Sequence, residues 1–374
     1  MNTASVIQIV PRRTDQPDGV GDYATILAEA MHERKRCVST FLVGTPAEIE
    51  APIQDSWRTV PVIERRGRAL ATQLSRLCRE TNAKAIILHV SGYGYQPRGA
   101  PIWLLTGIRA WKRMHPNVRM VGIFHELFAT GYFWNSSFWL SAAQKYVTQQ
   151  LWYLCDCGIA TNQAYFDQLA AWRPRMRGDL RVVPVFSNVG EPDTVPATCD
   201  RPNHIAVFGR PGTEQWIYNG PHAARSAAVV RKLGIEKIID IGSRAPGLPA
   251  RLGNAPILAL GRLPSAGVSH HLLGCRFGFL NYDVARLGKS GVFAAYAAHG
   301  VIPVCIQPYS DLDQNHELRD GRHFLQWPLE KLPLDLSSIQ SRLKKWYQDH
   351  ASRAQADLLS AWCLERRSAT TEHV

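Results

Sequence analysis

Short apolar runs alternate with segments of helical spacing along this chain, and the alternation stops once and then starts again. The first set of runs is "SVIQIV" (5–10), "CVSTFLV" (37–43), "AKAIILHV" (83–90), "VRMVGIF" (118–124), "DCGIAT" (156–161) and "LRVVPV" (180–185). The second set is "HIAVFG" (204–209), "KIIDIG" (237–242), "PILALG" (256–261), "RFGFLN" (276–281) and "VIPVCI" (301–306). Between them lies "SNVGEPDTVPATCDRPN" (187–203), with three prolines and little apolar content, which reads as a linker. Strands apolar on both faces belong in parallel sheets covered by helices on both sides. A chain of 374 residues also exceeds one ordinary core. The expected fold is therefore α/β, with two doubly wound parallel-sheet (Rossmann-like) domains facing across a cleft. The expected division is 1–190, a linker at 191–203, 204–334, and 335–374 as C-terminal helices packing back toward the first domain. Ligands of such sheets lie beyond the carboxyl ends of the strands.

Several function classes are disfavoured at once. No apolar run approaches the ~20 residues that span a bilayer. The start, "MNTASVIQIVPRR", lacks the basic-then-apolar order of a signal peptide. Eight cysteines in so long a chain make no disulfide framework, so a reducing, cytoplasmic setting is expected. "CDC" (155–157) fits neither a zinc knuckle nor a redox pair, and "HH" (270–271) has no partner at ligand spacing, so no metal and no cofactor are expected. The net charge is +12, and residues 1–190 hold 22 basic against 14 acidic residues, net +8. A basic first half suits an anionic partner, whether membrane headgroups, a phosphorylated substrate or nucleic acid.

Four stretches fall just after strands, where chemistry is expected. "PDGVGDYA" (17–24) brings Gly19 and Gly21 into a helix that Asp22 begins, so that backbone N–H groups can approach a phosphate or sugar. Its glycines do not complete the nicotinamide fingerprint, because Ala24 stands at the third glycine position. A glycine turn with an Asp cap is the competing explanation. "FHELF" (124–128) ends a strand on His125 and Glu126, and imidazole is the usual hydrogen-bonding or proton-transfer group near neutral pH. "FGRPG" (208–212) sets Arg210 after the first strand of the second domain, where a guanidinium suits a phosphate. "LGKSGVFAAYAAHGVIPV" (287–304) opens a helix with Lys289, Ser290 and Gly291. A cation and free helix N–H groups make a compact anion site. Tight packing accounts for Ala294, Ala295, Ala297 and Ala298 without a ligand, but not for Lys289 or Gly300.

Taken in order, "GVGDYA", "HEL", "VVPVFSNVG", "FGR" and "KSGVFAAYAAHGVIPV" resemble the GT-B glycosyltransferases, specifically the retaining group usually labelled family 4. The resemblance covers essentially the whole chain. It implies transfer of a sugar from a nucleotide-diphosphate donor, with cytoplasmic location and a role in polysaccharide biosynthesis. It implies that Gly19, Gly21, Asp22, Glu126, Gly261, Arg262, Ser290 and Gly291 lie on the donor, that His125 touches the transferred sugar, and that Arg210 and Lys289 hold the diphosphate. One departure stands out: Leu287 and Ala295 occupy the positions of the family's two glutamates. A degenerate protein that binds nucleotide-sugar or a partner without turnover is therefore the alternative. A nicotinamide oxidoreductase is disfavoured by the glycine pattern and the duplicated domain plan.

Two further segments bear on the acceptor. "ERRGRALATQLSRLCRE" (64–80) mixes Arg65, Arg66 and Arg68 with Leu70, Leu74 and Leu77, either a solvated helix face or a patch for an anionic membrane surface or acceptor phosphate. "GYFWNSSFW" (131–139) holds Phe133 and Trp134, in a core or in an acceptor groove. The expected partners are a nucleotide-diphosphate sugar and a glycan or lipid-linked acceptor, at the inner face of the membrane if the basic segment docks there. Nucleic acid rests on charge alone and is not expected.

Overall fold

The structure, a computed structural model, describes residues 4–12, 18–34, 37–44, 56–129, 136–209, 214–242, 248–307, 317–329 and 335–364. It divides into two compact units, Met1–Pro184 with Ser352–Val374, and Val185–Ala351.

The first unit holds β1 (Ala4–Val10), β2 (Cys37–Val43), β3 (Trp57–Pro61), β4 (Ala83–Val90), β5 (Arg119–Phe124), β6 (Cys157–Ala160) and β7 (Leu180–Val182). They form one sheet in the order β3-β2-β1-β4-β5-β6-β7, every pair parallel. Its helices are α1 (Gly19–Glu33), α2 (Gly67–Thr81), the single turn α3 (Gly92–Tyr95), α4 (Ile102–Met114), α5 (Ser136–Leu154) and α6 (Gln163–Trp172). The sheet order reverses between β1 and β4, which is where an open α/β sheet leaves a crevice. The β1 run is buried because both faces are covered, and α2 presents Leu70, Leu74 and Leu77 inward at helical spacing.

The second unit repeats the plan with β8 (His204–Phe208), β9 (Lys237–Ile241), β10 (Arg251–Leu252), β11 (Ala255–Gly261), β12 (Phe277–Leu280), β13 (Ile302–Cys305) and β14 (Leu325–Gln326). Their order is β10-β11-β9-β8-β12-β13-β14, with only β10 antiparallel to its neighbour. Here the order reverses between β8 and β12. The helices are α7 (Gly220–Lys232), α8 (Ser265–Leu273), α9 (Gly291–Ala298) and α10 (Leu336–Gln348).

The C-terminal segment does not travel as one body. Helix α10 stays with the second unit, where Trp346 meets Phe293 of α9 edge to face at 5.3 Å. Helix α11 (Ser352–Leu364) packs on α1 of the first unit, with Arg34 paired to Asp357 at 3.0 Å and Arg119 donating to the Trp362 carbonyl. None of the described helices is long and apolar enough to cross a membrane.

The stretch 191–203, read as a linker, is instead packed within the second unit. Arg201 is 3% exposed, and its guanidinium donates to the carbonyls of Pro196, Cys275 and His299. The Thr198 N–H donates to Gln340 of α10. A buried cation serving several carbonyls ties this proline-rich strap down, which composition could not reveal. Burial pushes the Arg201 guanidinium down to about 10. The same contacts explain Gly300 without a ligand: its φ is +64°, and a Cβ there would lie 2.6 Å from Val195 and 2.7 Å from Gln340.

Candidate functional site

Three neighbouring strands of the first unit bury a polar residue among apolar ones: Gln8 in β1, Ser39 in β2 and His89 in β4. All three are fully buried. A buried polar group needs a partner, and these supply one another. Gln8 donates its Nε2–H to Ser39 Oγ at 2.8 Å, and Gln8 Oε1 accepts from His89 Nε2–H at 2.8 Å. His89 Nδ1 lies 3.1 Å from His125 Nε2. The two imidazoles meet edge to edge, with centroids 5.4 Å apart and planes 9° from parallel.

With Gln8 Oε1 facing it, a neutral His89 donates from Nε2, and its Nδ1 accepts from His125 Nε2–H. Burial first, and His125 second, hold His89 well below its ordinary pKa, so it stays neutral. Tyr23 of α1 packs edge-on against His125 at 4.9 Å, and its hydroxyl donates to Gln355 of α11. Gln355 in turn donates to the Pro184 carbonyl at 2.7 Å. His125 is held after the end of β5, at 8% exposure, by its own N–H donating to the Val90 carbonyl. Beside it, half-buried Glu126 accepts from Ser91 Oγ at 3.0 Å.

The glycine turn differs from its reading in one respect. Helix α1 begins at Gly19, and Asp18 is its cap, taking the Gly21 N–H at 3.0 Å. Asp22 lies in the first turn and does not begin the helix. Burial, with Asp18 adding to it, pushes the Asp22 carboxyl up to about 6. Two carboxylates at this helix head oppose a bound anion and suit a donor of hydroxyl hydrogen bonds.

In the second unit, Lys289, Ser290 and Gly291 follow β12 at the reversal of sheet order. Ser290 caps α9 by accepting from Phe293 N at 3.2 Å. Gly291 and Val292 head the helix, where N–H groups have no intrahelical acceptor. Lys289 is half-buried but does not lie in the first turn of α9. It closes a preceding 3₁₀ turn, Val284–Lys289, capped by Asp283. A cation at that carbonyl end is favourably placed, so its presence alone no longer demands an anion. The alanine-rich helix does lie close to its sheet: Tyr296 bonds the Phe279 carbonyl, and a Cβ on Gly278 would fall 2.5 Å from its ring. Leu287 and Ala295 are fully buried.

The remaining predicted residues are dispersed. Gly261 ends β11 at φ +73°, and Arg262 follows it, exposed. Arg65, Arg66 and Arg68 are exposed around the head of α2, with Arg65 bonding the Gly44 carbonyl at 2.9 Å. Arg210, Phe133 and Trp134 lie outside the described residues. Among the described residues no group of three or more His, Cys, Asp or Glu side chains could hold a metal ion. Sequence reasoning missed Gln8, His89, Tyr23 and Gln355; the signal for Gln8 and His89 was a polar residue inside an apolar strand run, and Tyr23 and Gln355, on helices, gave none.

The sequence matches no family model and no curated protein. Its structure is similar to the lipopolysaccharide outer core galactosyltransferase WaaB in its apo form, at TM-score 0.51 and 12% identity, covering 98% of this chain and 96% of that one. It is similar to a glycosyltransferase from Rickettsia africae ESF-5, at TM-score 0.53 and 8% identity, covering 98% and 94%. It is also similar to the spinosyn forosaminyltransferase SpnP, at TM-score 0.51 and 13% identity, covering 97% and 100%. At such identities the likeness speaks for architecture, and this chain has the two-sheet GT-B fold that these glycosyltransferases share.

Proposed function

We propose that this chain is a glycosyltransferase, moving a sugar from a nucleoside-diphosphate donor to a glycan, lipid-linked or small-molecule acceptor. Transfer retains anomeric configuration and uses no metal. The observation that carries the reading is Lys289 with the capped head of α9, set where the second sheet reverses its order. A cation and helix N–H groups there suit the diphosphate, whose charge grows as the sugar leaves. His125 and Glu126, both just past the end of β5, suit sugar hydroxyls. The acidic head of α1 favours hydroxyls over phosphate, so Gly19, Gly21 and Asp22 belong with the sugar in this reading. Gly261 and Arg262 join the donor side, and the GT-B likeness supports the whole.

The burial of Leu287 and Ala295 favours a second reading, binding without turnover, because neither position offers an acid to a ribose or sugar. A donor-hydrolysis screen with UDP-, GDP- and ADP-sugars separates the two. Slow nucleoside-diphosphate release from one donor class, undiminished by EDTA, is the expected outcome. Binding of a nucleotide with no release from any donor would establish the second reading. Loss of turnover in EDTA, restored by manganese, would refute metal independence.

The exposed arginines beside Ile63, itself 76% exposed, suit an anionic membrane surface or acceptor phosphate. Vesicles containing phosphatidylglycerol should bind the protein more strongly than phosphatidylcholine vesicles. That difference should shrink with added salt, since exposed charges are screened over ~10 Å at 0.1 M. Equal binding to both vesicle types would leave α2 an ordinary solvated helix.

A further inference from the structure

We propose that Arg201 is a positioning residue for the diphosphate site: its buried charge, set at the tails of α8 and α9, raises the affinity of their heads for phosphate. This rests on the reading of the α9 head as that site.

Chain direction places the two helices. Strands β11, β9, β8, β12 and β13 are mutually parallel, so a helix joining two of them in sequence runs back across the sheet. Helix α8 joins β11 to β12, and α9 joins β12 to β13. Both therefore start at the carboxyl edge of the strands, where ligands bind, and end at the opposite edge. Neither has an acid in its first turn. A cation precedes each instead, Arg262 before α8 and Lys289 before α9. Heads kept clear of acids stay positive.

The tails converge on one side chain. Arg201 donates to the Leu272 carbonyl in the last turn of α8 at 3.5 Å, and to that of Cys275 just beyond it at 2.9 Å. It also donates to the carbonyl of His299, the cap of α9, at 2.7 Å. These partners and Pro196 are all carbonyls, and among the described residues no carboxylate pairs with it. A buried cation is unfavourable unless something neutralises it. Here two helix tails, each carrying about half a negative charge, do so. A structural tie needs no charge: Gln340 holds the carbonyls of Pro196 and Gly300 with a neutral amide.

The consequence is electrostatic. Helix α9 has eight residues and is ~12 Å long, so the guanidinium lies roughly 15 Å behind an anion at its head. Left alone, the two tails repel that anion through the protein interior. With Arg201 in place they do not. Over roughly 15 Å, at an effective dielectric between about 20 and 80, one unit charge changes affinity about two- to sixfold per ligand charge.

The test separates charge from shape. UDP, GDP, ADP and the matching monophosphates are titrated calorimetrically into wild type, Arg201→Met and Arg201→Lys. Methionine removes the charge and keeps the length; lysine keeps the charge but cannot span the carbonyls. Both variants should lose thermal stability. Arg201→Met should bind the preferred diphosphate about ten- to thirtyfold more weakly, and its monophosphate with a smaller loss, because the effect grows with ligand charge. Arg201→Lys should stay within about threefold of wild type.

Equal weakening in the two variants, or a folded Arg201→Met that binds diphosphate as wild type does, would overturn the proposal while leaving the donor-site reading intact. A wild type that binds no nucleotide sinks both. Should Arg201→Met fail to fold, Gln340→Glu serves instead. Gln340 shares the Pro196 carbonyl with Arg201, so an acid of the same shape cancels the charge in place. Diphosphate should again bind about tenfold more weakly, and unchanged affinity there would refute the role of the charge.

Discussion

His125→Ala should lower donor turnover by roughly a hundredfold or more while nucleoside-diphosphate affinity stays close to that of wild type. The size follows from losing a positioned hydrogen-bonding or proton-transfer group, typically ~10²–10⁴ in rate. The split follows from place. His125 belongs to the first unit, after β5, while the proposed diphosphate site of Lys289 and Ser290 belongs to the second. The substitution also removes a ring packed against Tyr23 and His89, so some loss of stability is expected, about 2–4 kcal/mol by analogy with other buried large-to-small changes. Turnover must therefore be measured well below the melting temperature of the variant. Wild-type activity in a folded variant would return His125 to a structural role.

Lys289→Ala should weaken binding of the preferred nucleoside diphosphate by roughly ten- to a hundredfold. One charge-assisted contact is typically ~1.5–3 kcal/mol, and each ~1.4 kcal/mol is a factor of ten. Ser290→Ala separates two effects. It removes one neutral hydrogen bond to ligand, a smaller loss, but also the cap on Phe293 N, so stability should fall by about 1 kcal/mol. Calorimetric titration of UDP, GDP and ADP into wild type and both variants reads these out. If wild type binds none of the three, or the Lys289 variant binds as well, α9 is a packed helix and nothing more.

Periodicity located the principal strands because parallel strands buried on both faces are unbroken apolar runs. It passed over β3, where only Trp57 is buried and Pro61 closes the run, and over β10 and β14, which have two residues each. Strand ends were equally legible, so His125 and Glu126 were read as following a strand, and they do follow β5. Caps were less so: Asp18 and Asp22 are four residues apart, and only the bond from Gly21 distinguishes the cap from the first turn. Lys289 was misplaced for a related reason, since a 3₁₀ turn ending at an α-helix cap has no period of its own. Arg201 shows the limit of composition. A strap rich in proline reads as free chain until its one guanidinium is seen to serve carbonyls distant in sequence. The His89–Gln8 chain was invisible because it depends on register between strands far apart in sequence.

The return of α11 to the first unit sets an order of events during synthesis. Val185–Ala351 is one uninterrupted stretch and has all its strands once the ribosome has passed it. The first unit is made earlier but cannot close, because Tyr23 and Arg34 await Gln355 and Asp357. Until those residues emerge, the α1 face and the imidazole pair beneath it lack their roof. The half translated first is thus the half finished last, and the nascent chain carries an open apolar flank for most of its birth, a state in which chaperone capture or aggregation competes with completion.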